Sequence, residues 1–326
     1  MIGHRGASGY RPEHSRSAYE LAFALGADAV EPDIVATSDG VLVLRHENEI
    51  SGTTDVASHP EFAKRKTTKV IDGVSLSGWF TEDFTWAELS TLRVVERLPQ
   101  LRQHSTTFNG IERILRLSDL LELIDAASIR YRRSLTLVAE IKHATYFASI
   151  GLPLDELFAR DIEGWATAGN LIVEAFEESV LHRIRERGVP GRLVFLVEKG
   201  GSPADLVALH GKKAPSYASH LTAFGLAGLA DRVDGISVDR RLIVDPDSGK
   251  LTDIVERAHA AGLLVFTWTL RPENSFLTKP FRAAGGSTAW GDWRGEFGLI
   301  LSTGLDGVFA DHPDLARSLL GDTARQ

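Results

Sequence analysis

Short apolar runs recur along this chain, and helical patterns separate most of them. The first run starts at residue 2, and the others occupy residues 29–35, 135–142, 171–176, 193–197, 235–239, 263–269 and 307–311. Alternating strand and helix patterns are typical of a parallel α/β architecture. The eight runs therefore predict a closed TIM (β/α)8 barrel, in which functional side chains lie at the carboxyl ends of the strands.

Local signals refine the first part of this barrel. Ser17 and Glu20 have the spacing of a capping box, and Gly26 is the expected stop of the helix that follows. Residues 37–40 form a turn signal, and residues 41–46 are again extended. We therefore expect a hairpin that rises above the barrel rim after the second barrel strand.

The alternation breaks between residues 47 and 115. This segment contains one predicted helix, which follows a capping box of Thr85 and Glu88. Its apolar periodicity is too thin for a large core of its own. We interpret it as a small insertion after the second barrel strand, and residues 1–326 as a single domain. A later segment, residues 271–292, is interpreted either as a lid or as an ordinary surface loop.

Composition restricts the class of partner. The 326 residues contain 36 Lys and Arg against 44 Asp and Glu, a net charge of −8, which argues against nucleic acid or an anionic membrane as the main partner. The chain has no cysteine, so thiolate metal sites and disulfides are excluded. It also has no apolar run of about 18 residues, so no membrane span is expected. We expect a small-molecule substrate, and the oligomeric state stays open.

The location of the protein is also left open by the sequence. No signal peptide pattern precedes the first predicted strand. As written, the chain predicts a cytoplasmic protein; a periplasmic or secreted one is expected if an upstream signal was removed.

Three acidic residues are expected at one edge of the barrel. Glu31 and Asp33 are two residues apart on a strand, so their side chains point the same way, and Glu140 ends the next barrel strand. Alone, such residues are often solvated strand ends. Together they offer oxygen ligands without cysteine, the donor set preferred by Ca²⁺ or Mg²⁺. The sequence therefore predicts a divalent metal site of Glu31, Asp33 and Glu140.

Two histidines and two cations end predicted strands beside these acids. His4 and His46 are the candidate catalytic pair, because imidazole titrates near neutral pH. Arg5 and Lys142 are the candidate phosphate-binding groups, a planar fork and a point charge. The three acids, two histidines and two cations together are suited to metal-assisted attack on a phosphodiester.

Four further residues are weaker candidates for substrate binding. Glu13 and His14 lie in the first loop after a strand, where they either reach the barrel mouth or belong to a polar loop without a ligand role. Phe176 and Trp268 end predicted strands and either form an apolar wall for a glycerol or alcohol group or cap the core.

The motifs together resemble the glycerophosphodiester phosphodiesterases, which are related to the phosphatidylinositol-specific phospholipase C barrels. The resemblance rests on residues 4–15, Glu31-x-Asp33, the hairpin to His46, residues 140–142, residues 267–269 and residues 304–314. Residues 4–15 look like the bacterial subgroup that is often periplasmic or secreted. One departure is Glu47, where the family usually has Asp after the catalytic histidine, a difference that bears on the orientation of His46.

The resemblance implies a metal-dependent enzyme. It implies that Glu31, Asp33 and Glu140 hold Ca²⁺ or Mg²⁺, that His4 and His46 are the acid–base pair, and that Arg5 and Lys142 bind phosphate. The expected reaction is hydrolysis of glycerophosphodiesters to glycerol 3-phosphate and an alcohol, by way of a cyclic phosphate. Residues 47–115 are similar to the family's insertion, which covers part of the active-site mouth.

Other functions are compatible with parts of the pattern. The same chemistry could act on lysophospholipids or teichoic-acid polymers, and a long apolar groove would favour the lipid substrate. A non-catalytic phosphate-binding barrel would be favoured by the loss of a histidine or of one acid, and none is missing. A metal hydrolase of the amidohydrolase type needs a His-x-His pair, which the chain lacks.

Overall fold

Parallel strands close into a barrel in the computed structural model, which describes residues 1–323 and side chains as far as residue 320. The strands are β1 (Ile2–His4), β2 (Ala29–Glu31), β3 (Asp33–Ala36), β4 (Leu42–Leu44), β5 (Thr67–Ile71), β6 (Val74–Gly78), β7 (Thr136–Ile141), β8 (Leu171–Ala175), β9 (Arg192–Val197), β10 (Gly235–Asp239), β11 (Leu264–Leu270) and β12 (Gly307–Ala310). The helices are α1 (Arg16–Ala24), α2 (Trp86–Leu89), α3 (Leu117–Tyr131), α4 (Ala144–Ser149), α5 (Leu154–Asp161), α6 (Glu178–Glu186), α7 (Ala204–His210), α8 (Tyr217–His220), α9 (Ala223–Ala230), α10 (Ile254–Ala260), α11 (Trp293–Leu301) and α12 (Pro313–Thr323).

The strand order confirms the predicted barrel. It runs β2-β1-β12-β11-β10-β9-β8-β7-β3-β4, and a further pairing of β2 with β7 closes the circle. Because β2 and β3 follow each other along the same neighbour β7, they form one barrel strand, and the closed barrel has eight. Its pairings are parallel, whereas β4 returns antiparallel to β3 as the predicted hairpin.

The second barrel strand is interrupted where the sequence predicted a continuous run. Pro32 separates β2 from β3 because proline has no backbone N–H to donate to the ladder. Its carbonyl still accepts a hydrogen bond of 3.0 Å from the backbone N–H of Glu140. The register with β7 is therefore the same on both sides of the break, which keeps Glu31 and Asp33 at the same rim.

The first helix starts two residues earlier than the predicted capping box. Ser15, not Ser17, is the N-cap: its backbone is extended, and its hydroxyl accepts from the backbone N–H of Ala18. Ser17 lies inside α1, so the capping box of Ser17 and Glu20 was wrong. Gly26 follows the helix at φ +91°, the conformation expected of a helix stop.

The barrel interior and the space around it contain separate apolar clusters. A small cluster fills the barrel with Ile2, Ala29, Val138, Val194, Phe266 and Phe309. A larger cluster joins the strands to the helices, and it includes Phe62, Trp79 and Phe84 from the segment 47–115. Burial of these rings ties that segment to the barrel, since large aromatic side chains carry much apolar area.

The segment 47–115 has more secondary structure than the one predicted helix. The helix α2 is present, with the predicted capping box of Thr85 and Glu88. In addition, β5 and β6 form a two-stranded antiparallel hairpin, which the sequence analysis missed. Val70 and Val74 are exposed on this hairpin, so its strands lack the alternation of buried apolar and exposed polar residues that predicts a surface strand. Among the described residues, no helix has the length and apolar character needed to cross a bilayer.

One glycine after β1 allows the tight approach of α1 to the barrel. Gly6 has φ +88°, and a Cβ built there would lie 2.5 Å from the backbone carbonyl carbon of Ala18. Gly110 also has a positive φ, +75°, but a Cβ there would meet nothing within 4 Å. Both glycines have a positive φ, but only Gly6 has close neighbours. Comparing them therefore separates the free-energy cost of the backbone conformation from the cost of steric overlap.

We therefore expect Gly6→Ala to lower the free energy of unfolding by about 3 kcal/mol or more, because it adds overlap to backbone strain. Gly110→Ala should lower the free energy of unfolding by only about 1–2 kcal/mol, because the positive φ is its only source of strain. Chemical denaturation of both variants measures the difference. Equal losses would show that α1 does not pack against Gly6 as described.

Candidate active site

Pairing in register places the predicted site residues side by side at the carboxyl ends of the strands. His4 lies opposite Glu31, and Asp33 lies opposite Glu140. Glu140 in turn lies opposite Glu174 on β8. Because equivalent positions on neighbouring strands point to the same side, residues far apart in sequence meet at one rim.

His4 is held by a carboxylate from the last barrel strand. Its Nδ1 lies 2.6 Å from Oδ1 of Asp311, so the other ring nitrogen, Nε2, is left for the cavity that His4 lines. Burial and, to a smaller extent, the Arg5 guanidinium lower the pKa of His4 to about 4, although Asp311 opposes this shift. The imidazole is therefore neutral near pH 7 in the absence of an anionic ligand.

His46 is held in a similar way after the hairpin. Its Nδ1 contacts Oε1 of Glu47, the residue that replaces the usual Asp of the family. Arg97 in turn binds Glu47, with Nη1 at 2.9 Å from Oε1 and Nη2 at 2.6 Å from Oε2. Burial, helped by Arg5 and Lys142, lowers the pKa of His46 to about 3. The longer Glu side chain thus still orients the imidazole.

The three predicted acids converge. Glu31, Asp33 and Glu140 each offer one oxygen, and these oxygens lie within 4.8 Å of one another. All three residues are buried. Oε1 of Glu31 has no hydrogen-bond partner among the described residues, and the inward oxygens of Asp33 and Glu140 face the Lys142 ammonium at 3.5 and 2.8 Å. Buried carboxylate oxygens with so few hydrogen-bond donors are suitable ligands for a hard divalent cation, so the cluster could hold a metal ion.

The acids repel one another at this distance. Burial raises the pKa of Glu31 well above its usual range, and the Asp33 carboxylate adds to the shift. Burial also raises the pKa of Glu140 to about 8, against the attraction of Lys142. Asp33 behaves differently, because Arg5, His46 and Lys142 outweigh its burial and hold its pKa well below the usual range. A bound cation would offset both the burial of these carboxylates and their mutual repulsion.

Arg5 and Lys142 lie on either side of the acids. Arg5 has a left-handed backbone, φ +57°, and its Nε lies 2.9 Å from Oδ2 of Asp33. Its backbone N–H donates to the carbonyl oxygen of Glu31 and to Glu31 Oε2, both at 3.0 Å. Lys142 Nζ lies 5.6 Å from the centre of the Phe176 ring. Both cations line the same cavity as Glu31 and Glu140.

Glu13 and His14 are brought to the site but lie behind it. His14 is fully buried, with Nε2 at 3.0 Å from Asp33 Oδ2 and Nδ1 at 2.8 Å from the Tyr19 hydroxyl. Glu13 accepts hydrogen bonds from Arg5 at 2.9 Å and from Arg97 at 2.7 and 2.8 Å. Neither residue lines the cavity, because these partners already occupy their polar atoms. The geometry makes them supports of Asp33 and Arg5, which corrects the expectation of substrate contact.

A cavity of about 1000 Å³ opens above the acids. Phe176 and Trp268 form part of its wall, with ring centres 5.7 Å apart in an edge-to-face arrangement. Segments outside the barrel complete it, namely the tip of the β5–β6 hairpin, α4, α7 and the loop 271–292. That loop contributes Arg271, Phe276 and Leu277 among others; whether it moves as a lid stays a prediction.

The sequence analysis did not single out several residues that surround the histidines. Asp311 binds His4 and accepts from Arg102 and from Arg271, the latter at 2.7 Å. Asp311 ended a predicted strand, which was a usable signal. The arginines gave none, because they belong to loops without periodicity. Glu174, buried beside Glu140, was hidden inside an apolar run.

Comparisons with known proteins agree with this geometry. Residues 4–315 match the Glycerophosphoryl diester phosphodiesterase family. Glycerophosphodiester phosphodiesterase GDPD6 of Arabidopsis thaliana is 30% identical over 325 residues, which cover 95% of this chain and 82% of that protein. A glycerophosphodiester phosphodiesterase of Treponema pallidum is 24% identical over 351 residues, covering 100% of this chain and 92% of its own.

Solved structures share the fold. An Oleispira antarctica phosphodiesterase in complex with the product sn-glycerol-3-phosphate has a TM-score of 0.61 and 19% identity, and the similarity covers 98% of this chain and 96% of that one. A glycerophosphodiester phosphodiesterase from Agrobacterium tumefaciens has a TM-score of 0.56 and 16% identity, with coverage of 97% and 98%. The resemblance read from the sequence and the enzyme class that it implied are confirmed, and the chain belongs to the glycerophosphoryl diester phosphodiesterase family.

Proposed function

We propose that this enzyme hydrolyses glycerophosphodiesters to glycerol 3-phosphate and an alcohol, with a divalent ion and two histidines. The observation that carries the proposal is the convergence of His4 and His46 on one cavity with the cluster of Glu31, Asp33 and Glu140. Family membership and the product bound by the Oleispira antarctica phosphodiesterase support the substrate class.

The acids and the cations divide the work of binding. Glu31, Asp33 and Glu140 would hold the ion, which when bound supplies positive charge that stabilises the developing phosphate charge. Arg5 and Lys142 line the same cavity and would bind the phosphate oxygens, the guanidinium with its planar fork and the ammonium as a point charge. Ca²⁺ and Mg²⁺ both suit an all-oxygen donor set.

The histidines would transfer protons on either side of the phosphorus. One removes the proton from the nucleophile, either a glycerol hydroxyl of the substrate or water, and the other protonates the departing alcohol. If the hydroxyl attacks, the cyclic phosphate that forms is then opened by water to give glycerol 3-phosphate. Both rings have a carboxylate on Nδ1, Asp311 for His4 and Glu47 for His46, which fixes Nε2 as the reactive nitrogen. A bound phosphodiester anion raises the low pKa of each imidazole towards neutrality.

A divalent ion should stabilise the fold through the three acids. Adding Ca²⁺ or Mg²⁺ should raise the melting temperature. At an ion concentration 100 times the dissociation constant, binding adds about 2.7 kcal/mol to the free energy of unfolding. Glu140→Gln should remove most of this gain, because it deletes one ligand charge. Differential scanning fluorimetry with and without chelator measures both, and activity should disappear with the chelator and return with the ion.

The matched control is Glu82→Gln, which alters a buried carboxylate that binds Asn48, Lys69 and Tyr146 outside the acid cluster. It should lower the basal melting temperature yet keep the ion-dependent gain. If both variants lose the ion-dependent rise in melting temperature to the same extent, the ion does not bind at Glu31, Asp33 and Glu140.

Removing either histidine should suppress turnover of glycerophosphocholine. His4→Ala and His46→Ala should each lower kcat by about 10²–10⁴-fold, the usual contribution of general acid–base catalysis. Glycerol 3-phosphate release is the assay, and circular dichroism checks the fold. His182→Ala, at an exposed position on α6, is the control and should behave as wild type. Near-normal turnover in either catalytic variant rules out the assigned pair.

One observation favours lysophospholipids as a second substrate class. Val207, Phe276 and Leu277 contribute apolar surface to the cavity wall, and Val70 and Val74 are exposed on the hairpin whose tip lines the cavity. A glycerophosphodiester has no acyl chain and needs no such wall, whereas an acyl chain would bury apolar area against it.

If acyl chains bind there, Val207→Asp should lower kcat/KM for lysophosphatidylcholine by about tenfold or more, because the charge must be desolvated. Turnover of glycerophosphocholine should stay within about twofold, since this substrate has no acyl chain to place there. Choline release from both substrates provides the measurement, with Ile129→Asp, on the exposed face of α3, as control. No detectable wild-type cleavage of the lysolipid excludes this second substrate.

A further inference from the structure

One buried carboxyl in the cavity has no role in the mechanism above. Glu174 lies on β8, and only 2% of its surface is exposed. Its Oε2 has no hydrogen-bond partner among the described residues, although the residue lines the cavity. Leaving a buried polar group unpaired is destabilising, so such a group is retained where a ligand or water can pair with it.

Its neighbours limit what that partner can be. Glu174 lies in register with Glu140 on one side, and Phe176 follows it two residues later on the same strand. It is not one of the three acids whose oxygens lie within 4.8 Å of one another. The carboxyl therefore lies next to the ion cluster but outside it, on the strand that also supplies Phe176 to the aromatic wall.

We propose, on the basis of the proposed function, that Glu174 is a specificity-determining residue that hydrogen-bonds a hydroxyl of the substrate's glycerol moiety. A hydroxyl both donates and accepts, so it can pair with the carboxyl whether or not this carries a proton. A phosphate oxygen can only accept, and it already has Arg5 and Lys142 as donors. The aromatic wall lies against the carbon chain of the same moiety, where its apolar surface fits.

The hydroxyl contact predicts discrimination between two ligands that differ only in hydroxyls. In calorimetric titrations with saturating Ca²⁺ or Mg²⁺, wild type should bind sn-glycerol 3-phosphate more tightly than n-propyl phosphate, which has the same carbon chain. Glu174→Met, which keeps the volume and deletes the polar atoms, should reduce this ratio about tenfold by weakening the glycerol phosphate alone. Glu174→Gln keeps a donor and an acceptor and should retain most of the ratio.

A merely structural role gives a different outcome. It would lower the melting temperature and weaken both ligands alike, whereas removal of an unpartnered carboxyl should leave the melting temperature unchanged or raise it. Glu256→Met, at an exposed position on α10, is the control and should keep the wild-type ratio. An unchanged ratio in Glu174→Met, or equal wild-type affinities for the two ligands, overturns the proposal. Failure of the proposed function would appear separately, as absence of glycerophosphocholine turnover by wild type.

Discussion

The mutual repulsion of three buried carboxylates is the constraint on which the rest of this structure depends. Glu31, Asp33 and Glu140 are buried, and they offer oxygens within 4.8 Å of one another. Unit charges this close in a medium of low dielectric repel by several kcal/mol. The fold tolerates the arrangement because Arg5 and Lys142 lie against it, and a divalent ion would complete the neutralisation.

Buried polar and charged groups also support the site from the side away from the cavity. His14 and Glu13 hold Asp33 and Arg5 from the side away from the cavity, so neither can swing out when a ligand binds. Arg45 is completely buried nearby, and only its Nη1 has a described hydrogen bond, to the carbonyl of Thr53 at 3.1 Å. Burial lowers the pKa of Arg45 to about 10, yet it stays charged at neutral pH. The active residues are thus preorganised by a second layer of charges.

The barrel and its rim could be read from the sequence because both depend on local patterns. An apolar run that ends in a charged residue identifies a strand and its functional end together, which is how His4 and Asp33 were found. Ser15 was missed as a cap because Ser17 and Glu20 offered a more complete motif, and the choice depends on backbone angles. The role of Arg97 and the hairpin β5–β6 could not be predicted, because long-range contacts determine their positions. No hydrophobic periodicity in the sequence marks them.

The parts that the sequence could not place are those that orient the proposed catalytic groups. A strand end delivers an imidazole to the rim, but the ring orientation depends on the carboxylate at Nδ1, and that carboxylate depends on its own cations. Arg97 and Arg102, both from the segment 47–115, bind Glu47 and Asp311, the partners of the two histidines. The barrel therefore supplies the chemistry, whereas the segment outside it fixes the geometry.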